Sequence, residues 1–187
     1  MDVALAILGI LILGALFLGI YIKNTYNKLV ALRNAVTTAS SQIGTELQQR
    51  LDLVPALVTT VKGYAAHERE TLEAVINARS MGINAKSTSD QMSQDAILTN
   101  TLGRLMLLAE AYPNLKADSN FLDLQNQLSN IERRINLARR FYNESVLVYN
   151  TSQQQFPANL VAKPLGIEAS TLYSEKPSAA EPPNFSF

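Results

Sequence analysis

Leu47-Gln48-Gln49-Arg50-Leu51-Asp52-Leu53-Val54-Pro55-Ala56-Leu57-Val58 is the stretch on which the fold turns. Apolar residues fall at helical steps on both sides of it, at Tyr26, Leu29, Val36, Ile43 and Leu47, then at Leu51, Val54, Val58, Val61, Ala65, Leu72 and Val75 or Ile76. That spacing makes a coiled-coil-like seam facing other helices. Pro55 sits inside the seam, has no N–H to offer the carbonyl of Leu51, and crowds that carbonyl with its ring. Asp52 is a good N-cap, which would put Pro55 in the first turn of a new helix. The apolar register passes through Pro55 without a slip, and this favours continuity. Length decides. An unbroken helix over 26–80 would measure about 82 Å, and the remaining helices are too short to cover its seam. The expectation is a turn near residue 51 joining helices of about 27 and 28 residues, matched for antiparallel packing. Arg50 and Asp52 flank this turn and are read as structural, pinning it with capping bonds.

Upstream, Val3–Ile22 reads VALAILGILILGALFLGIYI, twenty residues without a charge. At 1.5 Å per residue they span about 30 Å, the thickness of a hydrocarbon core. Thirteen of them are Leu, Ile, Val or Phe, contributing on the order of −5 kcal/mol to insertion. Tyr21 and Lys23 suit the interface. A cleaved signal peptide would need a basic start, a shorter apolar run and a small-residue cleavage site. Met1-Asp2 and the run itself supply none of these, so an uncleaved anchor is expected. Lys23, Lys28 and Arg33 follow the run, and the positive-inside rule then puts residues 23–187 in the cytoplasm with the N-terminus outside.

Downstream, residues 81–95 are polar, contain Gly82 and read as a loop with a helix start near Thr88–Asp90. A third helix reaches about Tyr112, with Leu98, Leu102, Leu105, Ala109 and Tyr112 inward, and Pro113-Asn114 ends it. Asp118 or Ser119 caps the last and longest helix, whose inward face is Phe121, Leu124, Leu128, Ile131, Ile135, Ala138, Tyr142, Val146 and Tyr149. Five of the seven prolines (Pro157, Pro164, Pro177, Pro182 and Pro183) lie in the remaining tail. Residues 156–173 are too apolar for a linker and are expected to lie on the bundle or a neighbouring subunit, with 174–187 loosely held. The fold class is therefore all-α: an N-terminal transmembrane helix continuing into an antiparallel four-helix bundle, then a Pro-rich C-terminal tail. The divisions are 1–22, 23–155 and 156–187.

The chemistry reads as sparse. With no Cys and one His, disulfides, thiolate chemistry and multi-histidine metal sites are excluded. His67-Glu68 lacks a second His at i+4, where Thr71 stands, and reads as a surface pair on a helix. Sixteen basic and sixteen acidic residues balance, so Arg133, Arg134, Arg139 and Arg140 read as a charged flank, with Glu132 and Glu144 nearby for pairing, and no nucleic-acid partner is expected. Asn143, Asn150 and Asn184 match the glycosylation pattern by chance. A carboxylate-based hydrolase would need several inward-facing Asp or Glu on facing helices, and with inward positions almost all apolar it is the least favoured class. No catalytic, cofactor or metal residues are expected.

The segments YNKLVALRNAV (26–36), LQQRLDLVPALVTTVKGYAAHERETLEAVINAR (47–79) and AEAYPNLKADSNFLDLQNQLSNIERRINLARRFYNESVLVYN (109–150) resemble the LemA family. QRLDLVP, VKGYAAHE, AYPNLKA and ARRFYN each match a family block in order, although Ala56 follows Pro55 where the family often has Asn. The resemblance implies a helical bundle on a single-pass anchor, mostly cytoplasmic, with a non-enzymatic role at the bacterial membrane, where some relatives are linked to membrane organisation. It carries over no catalytic residues. The expected function is a scaffold at the bacterial inner membrane that contacts the bilayer through residues 3–22, self-assembles, and organises membrane or client proteins. The alternative is an adaptor that docks a membrane protease or sensor.

Overall fold

The computed structural model describes residues 2–173; the loose tail expected over 174–187 lies outside them. Every regular element among the described residues is helical: α1 (Asp2–Tyr64), α2 (Arg69–Ile83), α3 (Thr88–Glu110), α4 (Pro113–Lys116), α5 (Ser119–Gln154) and α6 (Asn159–Ala162). The chain forms two units, one of residues 1–39 with 141–187 and one of residues 40–140. Both α1 and α5 contribute to each.

The expected turn near residue 51 is absent, because α1 runs through Pro55 to Tyr64. The carbonyl that Pro55 leaves without its helical donor is taken by another helix: Arg79 Nε donates to Leu51 O at 2.9 Å. Gly82, three residues on, lets α2 come close. A Cβ there would stand 2.8 Å from Leu51 Cδ2. Gly82 therefore serves close approach rather than the expected loop, and α2 continues past it to Ile83. A helix this long is possible because no single bundle has to cover the whole seam. Two units each cover part of it, and the apolar run Val3–Ile22 stands open, with all thirteen of its Leu, Ile, Val and Phe residues exposed.

The chain turns instead at Ala65–Glu68, where Glu68 N–H returns to Ala65 O. His67 is exposed in this turn, not on a helix. Glu68 accepts from Tyr112 Oη at 3.1 Å. In the 40–140 unit the core is built from Leu51, Val54, Leu57, Val61, Leu72, Val75, Leu98, Leu102, Leu105 and Phe121, with others. Ser87 and Asp90 close α3 with a reciprocal capping box. Asp118 caps α5, accepting from Phe121 N–H at 2.9 Å, and its other oxygen accepts from Tyr64 Oη at 2.9 Å. α5 is second in length to α1.

The Phe121 amide, then the Tyr64 hydroxyl, hold the Asp118 carboxyl below its ordinary range, and the bond to Asp118 raises the Tyr64 phenol. A depressed carboxyl stabilises the fold above its unfolded pKa and loses that contribution as pH falls through its folded value. The raised phenol behaves oppositely and loses its contribution as pH rises through its own. Accordingly, the thermal midpoints of wild type and Asp118→Asn, scanned downward in pH, converge as the carboxylate is protonated. A gap that persists unchanged in acid would contradict the cap.

In the other unit, Leu29, Val36 and Ala39 of α1 are buried along with Tyr142, Val146 and Tyr149 of α5 and Val161, Ala162 and Tyr173 beyond it. The segment after α6 is held on α5 by a repeated pair, Tyr142-Asn143 and Tyr149-Asn150. Asn150 donates to Ser170 O at 2.8 Å and accepts from Ser170 N–H at 2.9 Å. Asn143 does the same to Tyr173, at 3.0 and 2.7 Å. Tyr142 Oη and Tyr149 Oη donate to Thr171 O and Glu168 O at 2.9 and 3.0 Å. Seven helical residues rise about 10.5 Å and three extended residues about 10 Å, so the two repeats stay in register. Asn143 and Asn150 thus match a glycosylation pattern but work as backbone clasps; Asn184 lies outside the described residues.

Each Asn makes two bonds of about 1 kcal/mol net. The double variant Asn143→Ala/Asn150→Ala loses all four and should raise amide exchange over residues 168–173 on the order of 100–1000-fold while α5 keeps its protection. Unchanged exchange there would refute the clasp.

Candidate functional site

The most concentrated chemistry among the described residues lies inside the 40–140 unit, where each of three helices carries a charge on or beside its buried stripe. In α1 the buried positions run Ile43, Leu47, Arg50, Val54, Leu57 and Val61; in α3 they run Asp95, Leu98, Leu102, Leu105 and Ala109. Steps of three and four put Arg50 and Asp95 on the inward faces. Arg139 follows Ile135 by one turn on α5. Arg50 is wholly buried, Asp95 nearly so, and the Arg139 side chain is 17% exposed.

Asp95 is gripped from two sides. Arg50 Nη1 donates to Asp95 Oδ1 at 2.6 Å, and Arg139 Nη2 pairs with Asp95 Oδ2. Arg50 Nη1 also donates to Thr99 Oγ1 at 3.0 Å, and that hydroxyl donates to Asp95 O at 2.8 Å. Arg50 Nη2 pairs with Glu132, which is partly exposed. Two guanidiniums and two carboxylates cancel in formal charge. Outside the cluster, Arg134 Nε meets Glu46 at 3.0 Å with the Arg134 side chain half exposed, a pairing worth little in water.

This arrangement corrects two expectations. Arg50 is no cap: it sits at the centre of the ion network, whereas Asp52 is exposed and accepts from Gln48 Nε2 at 2.8 Å. Arg139 is an interior partner rather than part of a solvated flank. The inward face is almost all apolar, as expected, with Arg50 and Asp95 its charged exceptions in this unit. A signal was available, since Arg50 lies three residues after Leu47 and four before Val54, and Asp95 lies three before Leu98.

Chemically the cluster is a lock. Guanidiniums keep their protons at any accessible pH and cannot act as bases. Asp95 has each oxygen committed to a cation. A recess of about 100 Å³ reaches Asp95 past Gly44, Leu47, Gln91 and Gln94, well short of the ~300 Å³ at which small-molecule pockets begin. Among the described residues no group of three or more His, Asp or Glu is placed to hold a metal ion.

The chain is similar to magnetosome protein MamQ 2 of Paramagnetospirillum magneticum, 24% identical over 183 residues, covering 84% of this chain and 67% of that protein. It is similar to protein LemA of Metamycoplasma hominis, 29% identical over 143 residues, covering 75% of this chain and 65% of that one. A magnetosome protein MamQ of Magnetospirillum gryphiswaldense shares 29% identity over 91 residues, 49% of this chain and 34% of its own length. The LemA family model matches residues 39–187, which hold the whole charged cluster and the Tyr-Asn repeat. The chain belongs to the LemA family.

Proposed function

We propose that this protein is a non-enzymatic scaffold anchored in the bacterial inner membrane through residues 3–22, self-assembling there and organising membrane or client proteins. The observation that carries this reading is the exposed apolar surface of Val3–Ile22 on a helix that continues unbroken into the folded units. Twenty such residues match a bilayer core and are costly to leave in water. Lys23, Lys28 and Arg33 support an outward N-terminus with residues 23–187 in the cytoplasm. Relatives named for the magnetosome fit a part in membrane organisation. The 40–140 unit serves as the helical bundle that meets its neighbours, and the charged lock inside it fixes helix register rather than performing chemistry.

The adaptor alternative draws on Ile76, Leu107 and Leu137, large apolar residues exposed on the same unit, which suit docking of a membrane protease or sensor. Photo-crosslinkers placed at these positions in intact cells separate the readings. Ladders of the chain with itself support the scaffold; one stoichiometric adduct with a foreign protein, and no ladder, supports the adaptor.

A further inference from the structure

We propose that residues 156–165 form a second, interfacial contact with the bilayer; the inference rests on the reading of Val3–Ile22 as an anchor. This elbow has an inner and an outer face. Val161 and Ala162 are buried at 8% and 3% exposure, whereas Phe156, Leu160 and Leu165 stand 79%, 64% and 51% exposed. The outer face is an apolar surface that the rest of its unit leaves uncovered.

Its level along α1 is fixed. A groove of about 330 Å³ is lined by Tyr21, Asn24 and Lys28 on one side and by Gln155, Phe156 and Pro157 on the other. Phe156 is therefore held beside the residues where the uncharged run ends and Lys23 begins, the depth at which aromatic side chains and lysines meet headgroups. Lys23, Lys28 and Lys163 bring cations to that zone for lipid phosphates. A short amphipathic turn presenting Phe and Leu beside lysines suits the headgroup–acyl boundary.

The elbow is also pinned at both ends. The chain enters it from α5 and leaves through Gly166, at φ 62°, with Ile167 N–H returning to Ala162 O at 3.2 Å. The Tyr-Asn repeat then holds the chain from Glu168 onward. A bilayer is favoured over a second copy as occupant, because α1 itself sets the depth of the elbow and its surface on the apolar side of that depth is bare.

The test uses the full chain in phospholipid vesicles. The sequence has no Cys, so Phe156→Cys, Leu160→Cys, Ile12→Cys and Leu147→Cys each give one site for an environment-sensitive fluorophore. Leu147 is an exposed α5 residue two turns before Gln155. The expected result is strong quenching at 156 and 160 by lipids spin-labelled near the headgroup, with a blue-shifted emission, while 147 is quenched by aqueous iodide. If 156 and 160 respond to iodide as 147 does while 12 responds to lipid, the elbow proposal fails and the anchor stands. Shielding of 156 and 160 from both quenchers means that protein covers them and also overturns it. Loss of lipid quenching at 12 removes the anchor reading and this inference with it.

Discussion

Asp95→Ala lowers the stability of the folded chain by roughly 3–5 kcal/mol, the range for breaking a buried ion pair from one side. Removing the carboxylate takes from Arg50, fully buried, and from Arg139 the anion that both of them grip. Glu132 remains on Arg50, but it is partly exposed and screened by water. The compensated variant tells the lock from simple packing. Replacing Arg50, Asp95 and Arg139 together by Met, Leu and Met should recover most of the loss, because a well-packed apolar set often equals a buried ion network. Urea unfolding followed by circular dichroism checks both. A single variant within 1 kcal/mol of wild type, or a triple variant no better than the single, would mean the cluster is not a lock.

Arg79→Met should cost about 1–3 kcal/mol, because it leaves the Leu51 carbonyl without a donor inside the protein. Pro55→Ala gives residue 55 an N–H of its own for that carbonyl and relieves the ring's crowding. A helix-interior proline costs about 3 kcal/mol against Ala. Arg79 offsets part of that, and proline's restriction of the unfolded chain offsets about 0.4–1 kcal/mol more. Pro55→Ala is therefore expected to stabilise by about 1–2 kcal/mol. The distinctive expectation is the coupling. In the Pro55→Ala background, Arg79→Met should lose at least half its cost, since the carbonyl has regained its helical partner. Purely additive effects would show that Arg79 does not stand in for the missing amide.

What the sequence made legible follows the reach of each interaction. The start of α3 near Thr88 and the capping of α5 at Asp118 or Ser119 were readable because a cap acts within three residues. The inward faces of α3 and α5 were readable because helical periodicity is local. Pro55 misled for the opposite reason: the residue that rescues its orphaned carbonyl lies 28 positions away, and no local rule could see it. The true turn at Ala65–Glu68 was hidden because Val61, Ala65 and Leu72 keep their apolar spacing across it and the turn holds no Pro, Gly or Asn. Arg50 and Asp95 stood visibly on core stripes, yet their pairing joins helices 45 residues apart. The Tyr142-Asn143 and Tyr149-Asn150 repeat was legible as a pattern. Its meaning was not, because the backbone it clasps lies in the segment whose structure was hardest to read.

The account centres on a lipid-embedded first helix carrying units that assemble with one another. Mass determination on the full-length protein released directly from native membranes tests that claim. The account predicts particles that carry bound lipid and contain a fixed number of chains greater than one, with the same number across a wide range of protein concentration. Single chains at every concentration, or protein recovered from the aqueous fraction without its first residues, would contradict it.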